Sequence, residues 1–458
     1  MCLPVSEKRL DINSMQARFL LPLLLIAAKA SAATLAVLPE TSIQSKIDAA
    51  KAGDIIAIFG GTYNEDITIN KAVRLVEVSG EEVILAGNVT FSGVANPPAL
   101  EGFAVGSVNK GITVNDTTGL VFKNIDARAT TGIWTNGSTV LKITDSQLSN
   151  LYPNSASVEL SKSSLNGGIS QTAGKCCTSA VTIAGNFDTS SNAQKTVGFR
   201  TKVAGDMTWR SKKVWFGYSE TRSFNFFEQS EAKVVLVGNK IDRQGGEANG
   251  IYCNVANSSF LIANNRIVHV GYNYHRDDRN AIDLRGGGNK AVIVNNYCQL
   301  QFGGNDYYNP HGDGIYVRDF TQAKIINNVI VGAKFGISAP FGVLAKNNLY
   351  WASPWNGREA NGVAATGTLY ADPLFVENEA PKLQAGSPCI NAGTPDPLYN
   401  DRDGSRNDIG PSGGVYFDPD GWTTVKPVVV SFDLSPERVL EGVDTEVVIS
   451  NGIAISQP

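Results

Sequence analysis

The chain has 458 residues, a formal net charge of −4, 42% hydrophobic residues and 18% charged residues. This composition is too apolar and too balanced in charge for a disordered chain, and it has no basic excess that would favour nucleic-acid binding. The 46 glycines and 19 prolines indicate many tight turns. We therefore expect a globular, turn-rich chain without a nucleic-acid partner.

Residues 1–32 are typical of a secretory signal peptide. Arg18 precedes a short apolar run, and Ala-x-Ala spacing follows within residues 28–32. The run is too short to span a bilayer as a helix, so we expect no integral membrane segment in the mature chain. Met15 is an alternative start. We predict a secreted protein that is extracellular or attached to the cell surface, with the periplasm as the alternative compartment.

Five cysteines lie beyond this leader, and none of them forms a Cys-x-x-Cys pair. They are Cys176, Cys177, Cys253, Cys298 and Cys389. The spacing excludes common zinc and redox motifs, and an odd number leaves at least one thiol free or joined to another chain. Because a chain of this length can build a large core, we expect buried thiols rather than a disulfide framework.

An irregular repeat runs through the middle of the chain. Strand-like runs with an asparagine near the end recur at Asn239, Asn265, Asn296, Asn328 and Asn348. A second series of short strands follows them and contains Ile251, Ile282, Ile315 and Ile337. Two strands per repeat, with no room for a helix, predict a parallel β-helix. We expect the asparagines to be structural, with left-handed backbone and amides bonded to the next asparagine along the stack.

The N-terminal part of the mature chain predicts a short amphipathic helix. Residues 41–44 resemble a capping box, Ile43, Ile47 and Ala50 fall on one face, and Gly53 provides a stop. Such a helix would cover the open apolar end of a stack of coils, as terminal repeats require.

Three segments carry a resemblance to a known superfamily. They are the run SIQSKIDAAKAGDIIAIFGGTYNEDITI, the Asn–Asn strands, and the later DPLF…LQAGSPCINAGTPDP…NDRDGSRNDIG. Over about residues 40–415 the chain resembles secreted bacterial right-handed parallel β-helix proteins of the pectate-lyase-like superfamily. The resemblance implies an all-β, right-handed parallel β-helix over residues 33–422 with an N-terminal α-helical cap. It leaves the activity open, because this fold hosts lyases, epimerases, hydrolases and proteins without chemistry.

Residues 423–458 differ from the rest of the chain. They contain β-forming runs but are too few to complete a β-sandwich. We expect either a short C-terminal β segment or a truncated domain, which would serve self-association or attachment to the cell surface.

Alternation along the second series predicts a polar patch on the outside of the solenoid. If the isoleucines face the core, the residues that follow them face outward, and adjacent parallel strands place these side chains about 4.8 Å apart. The candidate catalytic residues are His311, Arg318, Arg285, His275 and Tyr316. The candidate substrate-binding residues are Arg276, Arg279, Tyr252 and Asp313, and the candidate Ca²⁺ ligands are Asp277, Asp278 and Asp283.

This set of residue types suits an acidic polysaccharide. Removal of the proton next to a uronate carboxylate needs a cation against that carboxylate and a base of suitable pKa. Arginines provide the cation, and histidine or tyrosine provides the base and the acid. The motif NPHGDG around His311 is similar to the Asp-Pro-His motif of mannuronan epimerases, with Asn309 in place of the Asp.

The sequence therefore predicts a secreted carbohydrate-active protein that acts by β-elimination or C5 epimerisation, with Ca²⁺ as an optional cofactor. The alternative is a non-catalytic surface, adhesin or filament-forming β-helix, in which the same charges form a solvated ladder of ion pairs. Residues 200–227 are rich in cations and aromatic side chains. We assign those aromatic residues to the core rather than to a sugar-binding groove.

Overall fold

The computed structural model describes residues 32–95, 98–106, 109–154, 157–243, 249–270, 279–300, 312–319, 322–339, 343–352, 363–376, 382–423, 428–435 and 449–455. The strands form a 29-stranded sheet, a 13-stranded sheet and a separate antiparallel pair. Both large sheets are built from parallel pairings between successive coils, for example Ile251 to Ile282. The chain is thus an all-β parallel solenoid of the right-handed type, with about 14 turns. This confirms the predicted all-β parallel β-helix.

One strand from each coil enters the 13-stranded sheet. Its strands are Ile67–Ile69, Val89–Ser92, Ile112–Asn115, Ile133–Asn136, Leu151–Pro153, Ile169–Gln171, Phe187–Thr189, Asp206–Trp209, Ser223–Ser230, Ile251–Ala256, Ile282–Arg285, Ile315–Val317 and Ile337–Ser338.

The 29-stranded sheet contains two ladders that run side by side along the solenoid. The first ladder comprises Thr34–Val37, Ile55–Ile58, Arg74–Glu77, Ala99–Glu101, Leu120–Lys123, Val140–Thr144, Ser157–Ser161, Gly174–Ile183, Ala193–Val203, Lys213–Gly217, Lys233–Val237, Ser259–Ala263, Lys290–Val294, Gln322–Ile326, Val343–Lys346 and Ala364–Thr366. The second comprises Gly61–Tyr63, Val83–Leu85, Ala104–Val105, Asp126–Ala127, Gln147–Leu148, Ser164–Leu165, Glu220–Thr221, Lys240–Asp242, Arg266–Val270, Tyr297–Leu300, Val329–Val331, Leu349–Trp351 and Leu369–Tyr370. Gly174–Ile183 and Ala193–Val203 are long enough to belong to both.

The predicted register of the second series is confirmed. Ile251, Ile282, Ile315 and Ile337 are paired in succession, and all four are fully buried. Burial of one branched residue per coil in the same column gives a continuous apolar core. The alternate residues of these strands consequently face the outer surface of the 13-stranded sheet.

The predicted asparagine stack is present inside the turn. Asn239, Asn265, Asn296, Asn328 and Asn348 are at most 1% exposed. Each of the first four donates a side-chain Nδ2 hydrogen bond to the Oδ1 of the next asparagine, at 2.9–3.0 Å. These bonds connect successive coils without any contribution from solvent.

The sequence predicts a left-handed backbone conformation for these five asparagines, but the residue that precedes each of them adopts it instead. Asn264, Asn295, Asn327 and Asn347 have φ values between +51° and +57°, and Gly238 takes the same place with φ +69°. The bend therefore uses two adjacent asparagines for two tasks. The first adopts the left-handed conformation and points outward, and the second turns inward and forms the stack.

The predicted helix is present at Ile43–Ala49. Ser42, rather than Thr41, is its N-cap, and the Ser42 side chain accepts the Ser45 N–H at 3.1 Å. Ile43 and Ile47 are fully buried in the main core, as the periodicity indicates. Its role as a cap that closes the end of the solenoid stays a prediction.

A C-terminal strap, residues 382–423, runs back along the 29-stranded sheet. It contains the 3₁₀-helix Pro397–Tyr399 and is held by the outward asparagines of the bend. Asn264 donates to the carbonyls of Pro411 and Gly413, at 3.0 and 2.7 Å. Asn295 donates to the carbonyls of Asp408 and Gly410, at 2.7 and 2.9 Å. The strap thus bonds to several coils at once.

Beyond the strap, Val428–Ser435 and Ile449–Ile455 form the antiparallel pair. No helix in the described residues is long and apolar enough to cross a membrane. The leader, residues 1–32, lies outside them except for its last residue.

All five cysteines beyond the leader are free and buried, as expected. Burial raises the pKa of their thiols, to about 11 for Cys177 and Cys389 and to about 12 for Cys253. They act as small apolar core residues rather than as cross-links or nucleophiles.

Candidate functional site

The outer face of the 13-stranded sheet carries one column of side chains that extends along the whole solenoid. Strand register places in it Thr68, Thr90, Thr113, Trp134, Tyr152, Ser170, Asp188, Thr208, Asn225, Tyr252, Asp283, Tyr316 and Ser338. A second outward column follows two residues later on each strand and includes Arg210, Phe227, Asn254 and Arg285. The predicted patch lies towards the C-terminal end of these columns.

Asp283 and Arg285 form the centre of this patch. The Arg285 Nε and Nη2 donate to Asp283 Oδ1 and Oδ2, both at 2.9 Å. Asp283 Oδ2 also accepts from the amides of Asn249 and Asn280, at 3.2 and 3.0 Å. Asp283 is fully buried beneath these groups, whereas the sequence predicts an outward, accessible carboxylate. Its oxygens are already occupied by four donors.

The guanidinium of Arg285 lies between two tyrosine rings from the neighbouring coils. Its Cζ is 5.7 Å from the ring centre of Tyr252 and 5.5 Å from that of Tyr316. Hydrogen bonding to Asp283 raises the pKa of Arg285 further above its usual range. The pair fixes a permanent cation in place, with two of its N–H groups on the carboxylate and a tyrosine ring on either side.

These contacts continue along the sheet as a row of neighbouring aromatic and guanidinium groups. The ring centres of Phe227 and Tyr252 are 5.5 Å apart, and Arg210 lies 5.9 Å from the Phe227 ring. We name the row the aromatic–guanidinium ribbon; its members are Arg210, Phe227, Tyr252, Arg285 and Tyr316. The ribbon provides a surface that combines flat apolar area with positive charge.

Asp313 lies at the edge of the ribbon, just before the strand that contains Tyr316. Its N–H donates to Asn280 Oδ1 at 2.7 Å, and the Asn280 N–H donates to Asn249 Oδ1 at 2.7 Å. Burial raises the pKa of the Asp313 carboxyl to about 6, despite a hydrogen bond from Ser338 that lowers it. A carboxyl group with this pKa can gain or lose a proton near neutral pH.

Arg318 and Arg279 are the other two predicted arginines that the structure describes, and they occupy different environments. Arg318 is exposed, with 61% of its side chain accessible, and its Nε lies 3.3 Å from Asp319 Oδ2. Such a surface ion pair is weak and can exchange for another anion. Arg279, in contrast, is only 4% exposed, so it does not contribute to the accessible surface in this structure.

The other predicted residues lie outside the described residues. They are His275, Arg276, Asp277, Asp278 and His311. Among the residues that are described, no group of three or more His, Cys, Asp and Glu side chains is suited to hold a metal ion. The proposed roles of these residues, and Ca²⁺ binding by the three aspartates, stay predictions.

The sequence analysis missed a second charged cluster on the same face. Asp206 accepts hydrogen bonds from Ser223, at 2.9 Å, and from the nearly buried Arg243. Burial raises the pKa of Asp188, which lies on the neighbouring strand beside Arg210. The assignment of residues 200–227 to the core is correct for Trp209, Phe216 and Phe224 but not for Phe227, which faces outward. The strand register alone could have separated the core residues Trp209, Phe216 and Phe224 from the outward Phe227.

The N-terminal part of the face is neutral and carries an aromatic platform. The rings of Trp134 and Tyr152 are stacked, with centres 5.1 Å apart and an angle of 9° between their planes. Beside them, the amide of Asn136 donates to Asn115 Oδ1 at 2.9 Å, and that of Asn154 donates to Asn136 Oδ1 at 3.2 Å. Flat rings next to a row of amides can contact the apolar face and the hydroxyl groups of a sugar.

No family model and no curated protein matches the sequence. The solved structures that are similar to the chain include two polysaccharide lyases. One is a complex of the alginate lyase AlyF-OU02 with G6, with 11% identity and a TM-score of 0.26, over 78% of this chain and 86% of that one. The other is the pectate lyase Pel9A, with 13% identity and a TM-score of 0.25, over 83% of this chain and 96% of that one. The assignment of the fold as a parallel β-helix rests on the strand pairing.

Proposed function

We propose that the outer face of the 13-stranded sheet binds an acidic polysaccharide and modifies it by β-elimination or C5 epimerisation. The observation that carries the proposal is the aromatic–guanidinium ribbon, which aligns rings and cations along the axis of the solenoid. A polymer of sugar acids presents apolar ring faces and carboxylates at regular intervals, and the ribbon offers a partner for each.

The cation that neutralises the reacting carboxylate is best assigned to Arg318. Arg285 is committed to Asp283 through two hydrogen bonds, so its role is to hold charge and orient Tyr252 and Tyr316. Within the described part of the chain Arg318 pairs with the exposed Asp319, which a substrate carboxylate can replace. Neutralising that carboxylate makes the adjacent C–H more acidic and stabilises the negative charge that develops when the proton leaves.

Proton transfer is assigned to residues near the C-terminal end of the ribbon. Asp313, whose pKa is raised to about 6 by burial, and Tyr316, whose ring packs on Arg285, are the described candidates. His311 and His275 remain predicted alternatives for the base and the acid. In β-elimination the base removes the proton and the acid protonates the departing oxygen; in epimerisation a proton returns from the opposite face.

We also propose a location, an attachment segment and a metal dependence for this activity. The leader at residues 1–32 favours secretion, and residues 423–458 favour self-association or surface attachment. Calcium would require Asp277 and Asp278 together with Asp283, whose carboxylate is held by Arg285 and two asparagines. We propose Ca²⁺ only as a dependence to be tested by chelation.

A second candidate function is binding without chemistry, as a surface or filament-forming β-helix. The complete pairing of Asp283 with Arg285 favours it, because groups satisfied within the protein provide stability without reactivity. In that case the ribbon and the aromatic platform would serve attachment to a polysaccharide.

One experiment separates these functions. The purified mature protein is incubated with alginate or polygalacturonate, with and without Ca²⁺, while ultraviolet absorbance follows the unsaturated product and proton NMR follows epimerisation. Arg318→Ala is the test variant, and Lys324→Ala, an exposed cation on the 29-stranded sheet, is the control. Turnover lost only in Arg318→Ala supports catalysis on this face. Binding without turnover supports the second candidate, and neither binding nor turnover on any uronate polymer contradicts both.

A further inference from the structure

A row of lysines runs along the outer face of the 29-stranded sheet, near the start of successive strands of its first ladder. Strand register aligns Lys175 with Lys195, Lys195 with Lys213, and Lys213 with Lys233. A serine stands in the next coil, and Lys290 follows it in the same register. We name these five lysines the lysine column. The proposed activity on the 13-stranded sheet does not use them.

Such a line of like charges is unfavourable in the protein alone. Adjacent parallel strands lie about 4.8 Å apart, and like charges directly opposite one another destabilise a sheet. Two glutamates lie near the column: Glu159 is close enough to Cys177 to influence its pKa together with Lys175 and Lys195, and Glu231 precedes Lys233 by two residues. Neither glutamate forms an ion pair with the column within the described part of the chain. An anion that extends along the solenoid axis would offset the repulsion.

The charge that is open to a ligand belongs to part of the column. Lys195 and Lys213 each have an interaction partner already. Lys175, Lys233 and Lys290 are exposed and, among the residues that the structure describes, form no ion pair. From Lys175 to Lys290 the column covers five strand spacings, or roughly 24 Å. These three lysines therefore present positive charge at intervals along a straight line.

A column of apolar side chains runs beside the lysine column on the same face. Val235, Leu261 and Val292 lie two residues further along their strands, pair in succession and are half-buried. Val428–Ser435 contacts Lys213–Gly217, so the open part of the apolar column begins at Val235. A ligand on this surface meets cations and apolar area side by side.

These features favour a linear polymer of sugar acids over other anions. Such a polymer repeats a carboxylate and an apolar ring face along its length, and the two columns offer a partner for each. The charges form a line, whereas an anionic membrane attracts a cluster of basic residues or a basic amphipathic helix. The formal net charge of −4 lacks the basic excess that is typical of nucleic-acid-binding proteins.

We propose that the lysine column binds a second strand of acidic polysaccharide, in addition to the strand on the aromatic–guanidinium ribbon. The choice of polymer rests on the proposed function. The two rows run along the same axis on different sheets, so one molecule can hold two strands. Attachment through the lysine column raises the local concentration of polymer at the ribbon.

The test variant of the full chain is Lys175→Gln/Lys233→Gln/Lys290→Gln, which removes the open cations of the column. Electrophoresis in gels that contain polygalacturonate gives its dissociation constant for the polymer. We expect affinity to fall roughly tenfold, because each exposed ion contact contributes little by itself. The dependence of affinity on NaCl concentration should become shallower. Calorimetric titration with an oligogalacturonate long enough to span the column should give two oligomers per native protein and one per variant.

A matched control changes the net charge by the same amount at other places. Lys51→Gln/Lys123→Gln/Lys162→Gln replaces three exposed lysines outside the column, and its affinity should stay within about twofold of the native value. Replacing the same three column lysines with arginine keeps the charge and should keep the affinity. Turnover of trigalacturonate should be the same in the native protein and in all three variants, because none of them alters the ribbon.

Equal polymer affinity of the two glutamine variants would overturn the inference, and so would equal stoichiometry in the titration or a native protein that binds no polymer. A loss seen only with vesicles of phosphatidylglycerol would overturn it too, by assigning the column to a membrane surface. Failure of the proposed function looks different. Turnover would then be absent or insensitive to Arg318→Ala, while the column variant would still lose affinity for the polymer.

Discussion

Asp283 and Arg285 are joined by two parallel hydrogen bonds of 2.9 Å, yet one is fully buried and the other keeps 31% of its side chain exposed. The two residues lie on the same strand, and the register with neighbouring coils places a tyrosine on each side of the guanidinium. The buried carboxylate thus holds the exposed cation in a fixed position on the outer face of the 13-stranded sheet.

Replacing Arg285 should lower the free energy of unfolding as well as remove a cation from the outer face of the 13-stranded sheet. Arg285→Met removes two of the four described donors to the buried Asp283, and we expect the free energy of unfolding to fall by about 2–3 kcal/mol. Arg318→Met, which breaks an exposed pair on the next coil, should change it by less than about 1 kcal/mol. Urea unfolding measures both. The double variant Asp283→Asn/Arg285→Met should recover part of the loss, and an equal loss in the double variant would contradict this account.

The raised pKa of Asp313 predicts a pH dependence of stability with a defined sign. In the unfolded chain an aspartate titrates near pH 4, whereas burial raises the folded pKa to about 6. The folded state therefore holds the proton more tightly, and this contribution is complete below about pH 4 and is lost as the pH rises through 6. Unfolding of the native protein and of Asp313→Asn, measured from pH 3.5 to 7.5 in steps of about half a unit, should show an extra decline of roughly 2–3 kcal/mol in the native protein alone. Parallel curves would show that the carboxyl is not perturbed.

The aromatic platform should contribute to polysaccharide binding without affecting chemistry. Trp134→Ala removes one of two stacked rings, and we expect affinity for a long uronate polymer to fall roughly three- to tenfold. Turnover at saturating polymer should stay unchanged, because the platform lies several coils from Arg318. Trp351→Ala, an exposed tryptophan on the other sheet, is the matched control. Equal affinity of the two variants would restrict the binding face to the ribbon.

We expect the loss in the free energy of unfolding on replacing a stacked asparagine to depend on its position along the stack. Asn296 accepts from Asn265 and donates to Asn328 and to two backbone carbonyls, whereas Asn348 ends the stack and donates to one carbonyl. We expect Asn296→Ala to lower the free energy of unfolding by about 3–4 kcal/mol and Asn348→Ala by clearly less. Chemical denaturation compares them. Equal losses would mean that the bonds between coils are not coupled.

The repeat in the sequence was sufficient to predict the solenoid, its core column and its asparagine stack. Isoleucine and asparagine recur at positions that only one register satisfies, so Ile251 and Ile282, or Asn265 and Asn296, identify their own partners. The exposed columns have no such constraint. Their residue types vary from coil to coil, and Trp134 or Phe227 reads equally well as core until the neighbouring strands are aligned.

The burial of Asp283 could not be read from alternation, which correctly places the residue on the outer face. It is buried because Arg285, Asn249 and Asn280 fold over it, and two of these come from outside its strand. The separate tasks of Asn264 and Asn265 were also hidden, because adjacent identical residues give no sign of which one turns inward. Side-chain contacts between distant segments, such as that of Asn295 with Asn407, do not recur at a regular spacing in the sequence, so no repeat indicates them.

The C-terminal strap changes how the stack can come apart. In a simple array of repeats each coil contacts only its neighbours, so an end can fray one coil at a time. Here strap residues bond lengthwise to coils that precede them by more than a hundred residues, as in Asn264 with Gly413. The coils that carry these asparagines can therefore open only together with the strap, and the strap can dock only on coils that are already formed. The strap therefore adds contacts along the solenoid axis to a structure in which each coil otherwise contacts only its neighbours.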